Sequence, residues 1–191
     1  TLWDWRAEDH LDFEDHCPVC APADWLHANT VIHREEPGGE AIYVHLRNRN
    51  RIVKIGRETG EIIWSLGDGG DFAEGLFDHQ HNPTRLGPGR MLVFDNGLHG
   101  DWLGPSRSRV VEIEYDPDLG EARIVWEYSG PPSFYTEVMG DASRLENGNT
   151  LVVDSLAGRI VEVSPDGMPV MEIDLPIPYV IYKAHRVKNF P

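Results

Sequence analysis

Two histidines and two arginines of this 191-residue chain have side chains that could act together in chemistry. His27 and His81 carry imidazole rings, and a neutral imidazole can act as a covalent nucleophile. Arg47 and Arg107 carry guanidinium groups, which hold the oxygens of an anion through a two-pronged fork. The bland alternative is that the histidines are core residues bonded to neighbouring backbone and that the arginines lie on a solvated face.

The elements that must position these side chains are short strands arranged in a repeat. From Asn29 onward, period-two alternation is interrupted by Gly, Pro, Asn and Asp, and no convincing helical pattern occurs. Residues 27–80, 81–139 and 140–181 each contain four predicted strands, and residues 182–191 begin another such group. These lengths are close to the about 40–50 residues of a four-stranded propeller blade. The sequence therefore predicts an all-β protein, a β-propeller of four-stranded antiparallel blades, preceded by an N-terminal segment at 1–26.

The repeat suggests which positions correspond between blades. Aligning the strands by sequence places His27, His81, Gly140 and Tyr182 at equivalent positions, where the first strand of each blade begins. In a propeller, the loops before the first strand open on the same face as the loops that join the second strand to the third. Residues far apart in sequence are therefore expected to meet on one rim.

Three candidates lie in or near the loops between second and third strands: Arg47, Arg107 and, in addition, Asn96. The arginines that begin each third strand recur in every repeat, and this recurrence marks them as scaffold rather than chemistry. They are Arg51, Arg109 and Arg159.

Composition narrows the class of partner. Asp and Glu total 32 against 17 Lys and Arg, and the formal charge of −15 argues against binding to nucleic acid or anionic membranes. With 40% hydrophobic and 26% charged residues, the chain can bury a core. No apolar run reaches the about 18 residues that a membrane span needs. The chain starts at Thr1 without a signal-peptide pattern, so we expect either that a segment was removed or that a longer chain exists.

The two cysteines of the chain, Cys17 and Cys20, form a single C-x-x-C motif. It supplies half of the four ligands that a structural zinc site uses, and His10 or His16 could add another. A local disulfide, free thiols without catalytic meaning, a metal site and redox work all stay open for this pair.

The order of the motifs resembles the arylsulfotransferase family, bacterial aryl-sulfate sulfotransferases that do not use PAPS. The resemblance covers nearly the whole chain. The segments that carry it are 24–31, 47–52, 59–64, 80–81, 93–97, 108–112 and 144–151, with the early Trp3-Asp4-Trp5.

This resemblance implies a six-bladed propeller, normally exported to the periplasm or the extracellular space. The implied reaction moves a sulfuryl group from a phenolic sulfate to a phenol through a sulfated histidine, with no cofactor. By position, His27 and His81 match the pocket histidines of the family and become the candidate catalytic residues. The candidate substrate-binding residues are Arg47, Arg107, Asn29, Asn96 and Tyr182.

The chain also departs from the family pattern. The sulfuryl-accepting histidine of the family is expected beyond the second blade, yet no histidine occurs between His99 and His185. Either His81 or His27 takes its role, or the chain is a non-catalytic binding module. Six blades need roughly 250 residues, so about two blades are absent and would come from an upstream segment or another subunit.

Overall fold

The computed structural model describes residues 3–13, 17, 20–98, 106–131, 133–176 and 179–187. Its strands form three four-stranded sheets, in each of which neighbouring strands follow the chain order. Sheet 1 comprises β1 (Ala28–Glu36), β2 (Gly39–Leu46), β3 (Arg51–Gly56) and β4 (Ile62–Gly67). Sheet 2 comprises β5 (His81–Gly87), β6 (Arg90–Asp95), β7 (Arg109–Asp116) and β8 (Glu121–Tyr128). Sheet 3 comprises β9 (Asp141–Arg144), β10 (Thr150–Asp154), β11 (Arg159–Val163) and β12 (Pro169–Asp174).

The three sheets confirm the predicted groups of four antiparallel strands. Glycines with positive φ occur at the hairpin turns, for example Gly39 at the start of β2 and Gly120 between β7 and β8. Three 3-10 turns, Ala7–Asp9, Pro22–Asp24 and Arg47–Arg49, complete the regular structure of the described residues. None of the helical segments in the described part has the length and apolarity to cross a membrane. Residues 182–187, the described part of the further blade predicted at 182–191, contain no assigned strand.

Two compact units make up the chain, and the first contains sheet 1. This unit runs to Leu76 and includes Asp116–Glu121. One face of sheet 1 buries Val44 and Val53 against the N-terminal segment, which contributes Trp3 and Trp5. The Trp5 indole N–H donates to the carbonyl of Gly60 at 2.9 Å. The segment before the first strand therefore covers a sheet face, and each large apolar side chain buried there contributes about 1.5–3 kcal/mol.

The second unit, Phe77–Tyr115 with Ala122 onward, packs sheet 2 face to face on sheet 3. Phe94 of β6 lies in the shared core with Val152 and Val161 of sheet 3. At the edge of this core, Glu112 accepts a 2.5 Å hydrogen bond from Arg144. The Arg144 guanidinium also lies 4.9 Å from the centre of the Trp126 ring. Apolar packing supported by a half-buried ion pair thus joins the two sheets.

The close approach of the two sheets requires a glycine at position 140. Gly140 has φ +90°, and a Cβ placed there would lie 2.3 Å from the Phe94 ring. Gly120 also has a positive φ, +68°, but a Cβ there would meet nothing within 4 Å.

We predict that Gly140→Ala lowers the free energy of unfolding by about 2–4 kcal/mol, because the methyl group both clashes and strains the backbone. Gly120→Ala should cost only about 1–2 kcal/mol, since it adds strain without a clash. Urea unfolding of both variants measures the difference. Equal losses would show that the contact with Phe94 does not constrain position 140.

His45 is a buried histidine in β2. It is 3% exposed, and neither ring nitrogen has a hydrogen-bond partner among the described residues. Its cross-strand neighbours are Thr30 and Ile52, neither of which carries a charge. Burial lowers the pKa of His45 from 6.5 to about 3. The ring is therefore neutral in the folded protein at physiological pH.

We predict that His45 makes the fold acid-sensitive. Below pH 6.5 the unfolded chain protonates this ring, whereas the folded chain does so only near pH 3, so stability falls as pH drops through that window. The slope from this group approaches about 1.4 kcal/mol per pH unit. His45→Phe, which installs the residue found at the corresponding position 94 of sheet 2, should flatten the slope in urea unfolding between pH 6 and pH 4. An unchanged slope would contradict the prediction.

Candidate functional site

The strand registers show which positions correspond between the sheets. In each sheet, the arginine that begins the third strand pairs with the last residue of the second strand. The three pairs are Leu46 with Arg51, Asp95 with Arg109 and Asp154 with Arg159. These pairs provide a common reference that does not depend on sequence similarity.

His81 corresponds to Asp141 in this register. His81 pairs with Phe94 and Asp141 pairs with Val153, each one residue before the reference position. In sheet 1 the corresponding residue is Thr30, which pairs with His45 and directly follows the β-bulge between residues 28 and 30. The predicted equivalence of His81 with His27 and Gly140 is therefore wrong. Each of the first two sheets has a β-bulge in its first strand. A bulge adds a residue to one strand, so it shifts the alignment of the repeats, and the sequence composition does not reveal it.

His27 corresponds instead to His79. The Asn48 amide donates to the carbonyl of residue 26 at 3.1 Å, and the Gly97 amide donates to the carbonyl of residue 78 at 2.9 Å. Both donors follow the reference position by two residues. The histidines that come directly after the acceptors share a positive φ, +46° for His27 and +58° for His79. In sheet 3, Met139 has φ +66° and precedes Gly140, so this place holds no imidazole.

His81 is buried and its ring is oriented by Asn96. Its Nδ1 lies 2.5 Å from the Asn96 Oδ1 atom. Since an amide oxygen only accepts hydrogen bonds, Nδ1 carries the proton. In the neutral ring the lone pair then resides on Nε2.

The Asn96 side chain is itself held in one orientation. Its Nδ2 donates to the carbonyls of Thr136 at 2.6 Å and Met139 at 3.1 Å. The Ser108 hydroxyl donates to the Asn96 carbonyl at 3.0 Å. Two carbonyl acceptors fix the amide nitrogen, so the amide oxygen must face His81. The predicted site residues His81 and Asn96 are thus in direct contact.

His27 has a comparable arrangement in the first compact unit. Its Nδ1 lies 2.5 Å from the Asp24 carboxylate, and the His27 side chain is 39% exposed. The carboxylate accepts the Nδ1 proton, which again leaves the lone pair on Nε2 in the neutral ring. The Asp three residues earlier and the positive φ of His27 together present the ring to solvent.

Arg47 adjoins His27 through the backbone. The Arg47 amide donates to the His27 carbonyl at 3.2 Å. The buried Arg47 guanidinium donates to Asn48 Oδ1 at 2.8 Å, and Asn48 Nδ2 donates to the carbonyl of Asp24 at 2.6 Å. A cation, an imidazole and a carboxylate are therefore held in one local network. His27 lies in one compact unit and His81 in the other, and their meeting on a common rim stays a prediction.

The remaining predicted site residues are Arg107, Asn29, Tyr182 and the cysteine pair with its neighbouring histidine. Arg107 is exposed, and its side chain has no hydrogen bond or ion pair within the described ranges. Tyr182 is 63% exposed and Asn29 is half-buried. Cys17 and Cys20 form a disulfide in this structure, the first of the alternatives for that pair. His16 lies outside the described residues.

Two features of the site were not expected from the sequence. His79 is fully buried, and its Nδ1 lies 2.6 Å from the Asp78 carboxylate. Asp141 is buried, and burial raises the pKa of its carboxyl group, while the charges of Lys183 and His185 oppose that rise. The available signal for His79 was the acidic residue directly before it, Asp78. No local pattern signalled Asp141.

Comparisons with known proteins identify the family. The sequence model of the arylsulfotransferase (ASST) family matches residues 1–175. The chain belongs to the arylsulfotransferase family. This membership supports a sulfotransferase-like function in general terms. A comparison with curated protein sequences gives no match.

Solved structures show the fold. The chain is similar to the WD40 β-propeller domain of Doa1, at 13% identity and TM-score 0.50, covering 75% of this chain and 39% of that one. It is also similar to a catalytically inactive virginiamycin B lyase from Staphylococcus aureus with quinupristin, at 15% identity and TM-score 0.49, covering 81% and 43%. The chain is a β-propeller protein, and it spans less than half the length of these two structures.

We predict that His81 is present as the Nδ1–H tautomer. Imidazole ¹⁵N chemical shifts of the intact chain measure this directly. Asn96→Ala removes the acceptor that selects this tautomer, so a measurable Nε2–H population should appear. Asn82→Ala, whose amide donates to the Gly140 carbonyl at 3.3 Å, is the matched control and should leave the shifts unchanged. Circular dichroism checks that both variants are folded. A wild-type protein already in the Nε2–H form would contradict the geometry.

Proposed function

We propose that this protein transfers a sulfuryl group from a phenolic sulfate to a phenol without PAPS, and that His81 carries the group between them. The observation that supports this role is the hydrogen bond from His81 Nδ1 to the anchored Asn96 amide. It keeps the nucleophilic lone pair on Nε2 without any need to remove a proton first. A buried ring held in one orientation also loses little entropy when it attacks.

In the first half-reaction, His81 Nε2 attacks the sulfur of the donor. An Nε2–S bond forms, the S–O bond to the aryl group breaks, and a phenolate leaves and takes a proton from water. The ring keeps its Nδ1 proton, and Asn96 Oδ1 stabilises the positive charge that the sulfated imidazole gains.

In the second half-reaction, a phenol oxygen attacks the same sulfur. The new S–O bond forms as the Nε2–S bond breaks, and the phenol gives up its proton to water. The imidazole returns to its starting tautomer, so no external reductant, oxidant or cofactor enters the balance.

His27 is the alternative carrier. The Asp24 carboxylate orients it as Asn96 orients His81, and Arg47 supplies a cation in the same network. A carboxylate stabilises an imidazolium more strongly than an amide does, which favours formation of the sulfated ring. Arg47 is proposed to bind the sulfuryl oxygens.

A non-catalytic binding module is the second candidate function. Sheet 3 has Met139 where the others have His27 and His79, and Asp141 where sheet 2 has His81. Sheet 3 therefore contributes no imidazole at either of the two positions where other sheets have a histidine.

We further propose that the complete propeller includes blades from an upstream segment or another subunit, since the chain spans less than half of the solved propellers it matches. The protein is proposed to work in the periplasm or outside the cell, where the Cys17–Cys20 disulfide would persist.

The test is turnover of p-nitrophenyl sulfate with phenol in the absence of PAPS. His81→Ala should reduce the rate by at least about a thousandfold, because it removes the group that forms the covalent intermediate. His33→Ala is the matched control, since His33 is exposed and paired with Glu40 at 3.0 Å. Intact-mass measurement after incubation with the donor alone should show one added sulfuryl group, absent in His81→Ala.

The alternatives give different results. Loss of both turnover and modification only in His27→Ala would transfer the role to His27. Full turnover in both alanine variants would overturn the proposed site. A wild-type protein that neither turns over nor becomes modified would favour the binding module.

A further inference from the structure

A groove of about 510 Å³ lies in the second compact unit, and neither His81 nor Asn96 is among its lining residues. The end of β8 and the loop after it form one side, and sheet 3 forms the other. Its lining includes the aromatic side chains of Tyr128 and Phe134 and the apolar side chains of Val152 and Val161, all of which also belong to the core of this unit. Asp154, Arg159 and Glu172 are the charged residues in its lining.

Asp154 occupies a position whose counterpart in sheet 2 is fully paired. That counterpart is Asp95, which accepts a 2.8 Å hydrogen bond from Arg109 Nε on one oxygen. Its other oxygen accepts the amide of Asp78 at 2.7 Å. The carboxylate of sheet 2 is thus held by the arginine that begins the next strand.

Sheet 3 has an aspartate and an arginine at the same two positions, but these two side chains do not pair with each other. Arg159 corresponds to Arg109, but its Nε turns to Asp174 at 3.1 Å and Glu172 at 3.2 Å. Asp154 is 2% exposed, and its Oδ1 has no hydrogen-bond partner among the described residues. The carboxyl group does accept hydrogen bonds from the Thr136 hydroxyl and the Ala157 amide.

A buried carboxylate oxygen without a partner is costly unless a donor reaches it. Burial accordingly raises the pKa of Asp154. A ligand that brought a cationic donor to Oδ1 would replace the arginine that sheet 2 uses. Since Asp154 is so little exposed, that donor must reach the floor of the groove rather than rest at its mouth.

We propose that this groove binds a small organic cation with an aromatic body, its ammonium group on Asp154 and its ring against Tyr128 and Phe134. Aromatic walls favour such a ring and also attract the adjacent cation. The two carboxylates of the lining outnumber its one guanidinium, which is already paired. The net charge of −15 attracts cations over longer distances as well.

Isothermal titration calorimetry of the full chain with phenethylamine tests the proposal, with phenylacetate and phenol as probes of the same ring size. We expect saturable binding of phenethylamine at one site, and much weaker binding of the anion and the neutral phenol. Asp154→Asn should weaken phenethylamine binding at least tenfold. This variant removes a buried charge, so we expect it to fold, and urea unfolding checks this.

Two further variants keep the test decisive. Asp166→Asn changes an exposed acid in the turn before β12 and should leave the affinity unchanged. Arg159→Met should raise the affinity, because it removes a cation that repels the ligand and releases Glu172. Absence of saturable binding, equal affinity of Asp154→Asn and wild type, or binding of phenylacetate as tight as that of phenethylamine would each overturn the proposal.

Discussion

Each four-stranded sheet of this protein has two faces, and an apolar face is stable only when another element covers it. The rest of the structure depends on how that requirement is met. Trp3 and Trp5 of the N-terminal segment cover one face of sheet 1, and sheets 2 and 3 cover each other. Between the latter two, Gly140 allows the Phe94 ring to approach the backbone of the next sheet.

The orientation of His81 illustrates this dependence. Its partner Asn96 directly follows the second strand of sheet 2, yet the carbonyls that hold Asn96 belong to Thr136 and Met139, in the segment that leads into sheet 3. The connection between two packed sheets therefore decides which imidazole nitrogen keeps its lone pair. In the first compact unit the same task falls to Asp24, a residue close in sequence to His27. The orientation of His27 is therefore fixed by a residue nearby in sequence, and that of His81 by residues from distant parts of the chain.

Equivalent positions are used differently from sheet to sheet. The end of the second strand holds Leu46 in sheet 1, a carboxylate paired with arginine in sheet 2, and Asp154 with one unpartnered oxygen among the described residues in sheet 3. Position 45 is a buried histidine where sheet 2 has Phe94. The three sheets share one strand arrangement, and the candidate functional groups are residues that differ between equivalent positions of those sheets. The proposed carrier and the proposed cation groove both rest on such differences.

Alternation of apolar residues and the turn glycines were sufficient to predict three groups of four antiparallel strands, because both signals depend on near neighbours along the chain. The motifs were sufficient to place the chain in its family. The correspondence of His27 with His79, and of His81 with Asp141, needed the registers, since a β-bulge inserts a residue that composition does not reveal. The burial of His45, the tautomer of His81 and the pairing of Asp154 were decided only by the tertiary structure. Each depends on atoms that packing brings across from distant parts of the chain.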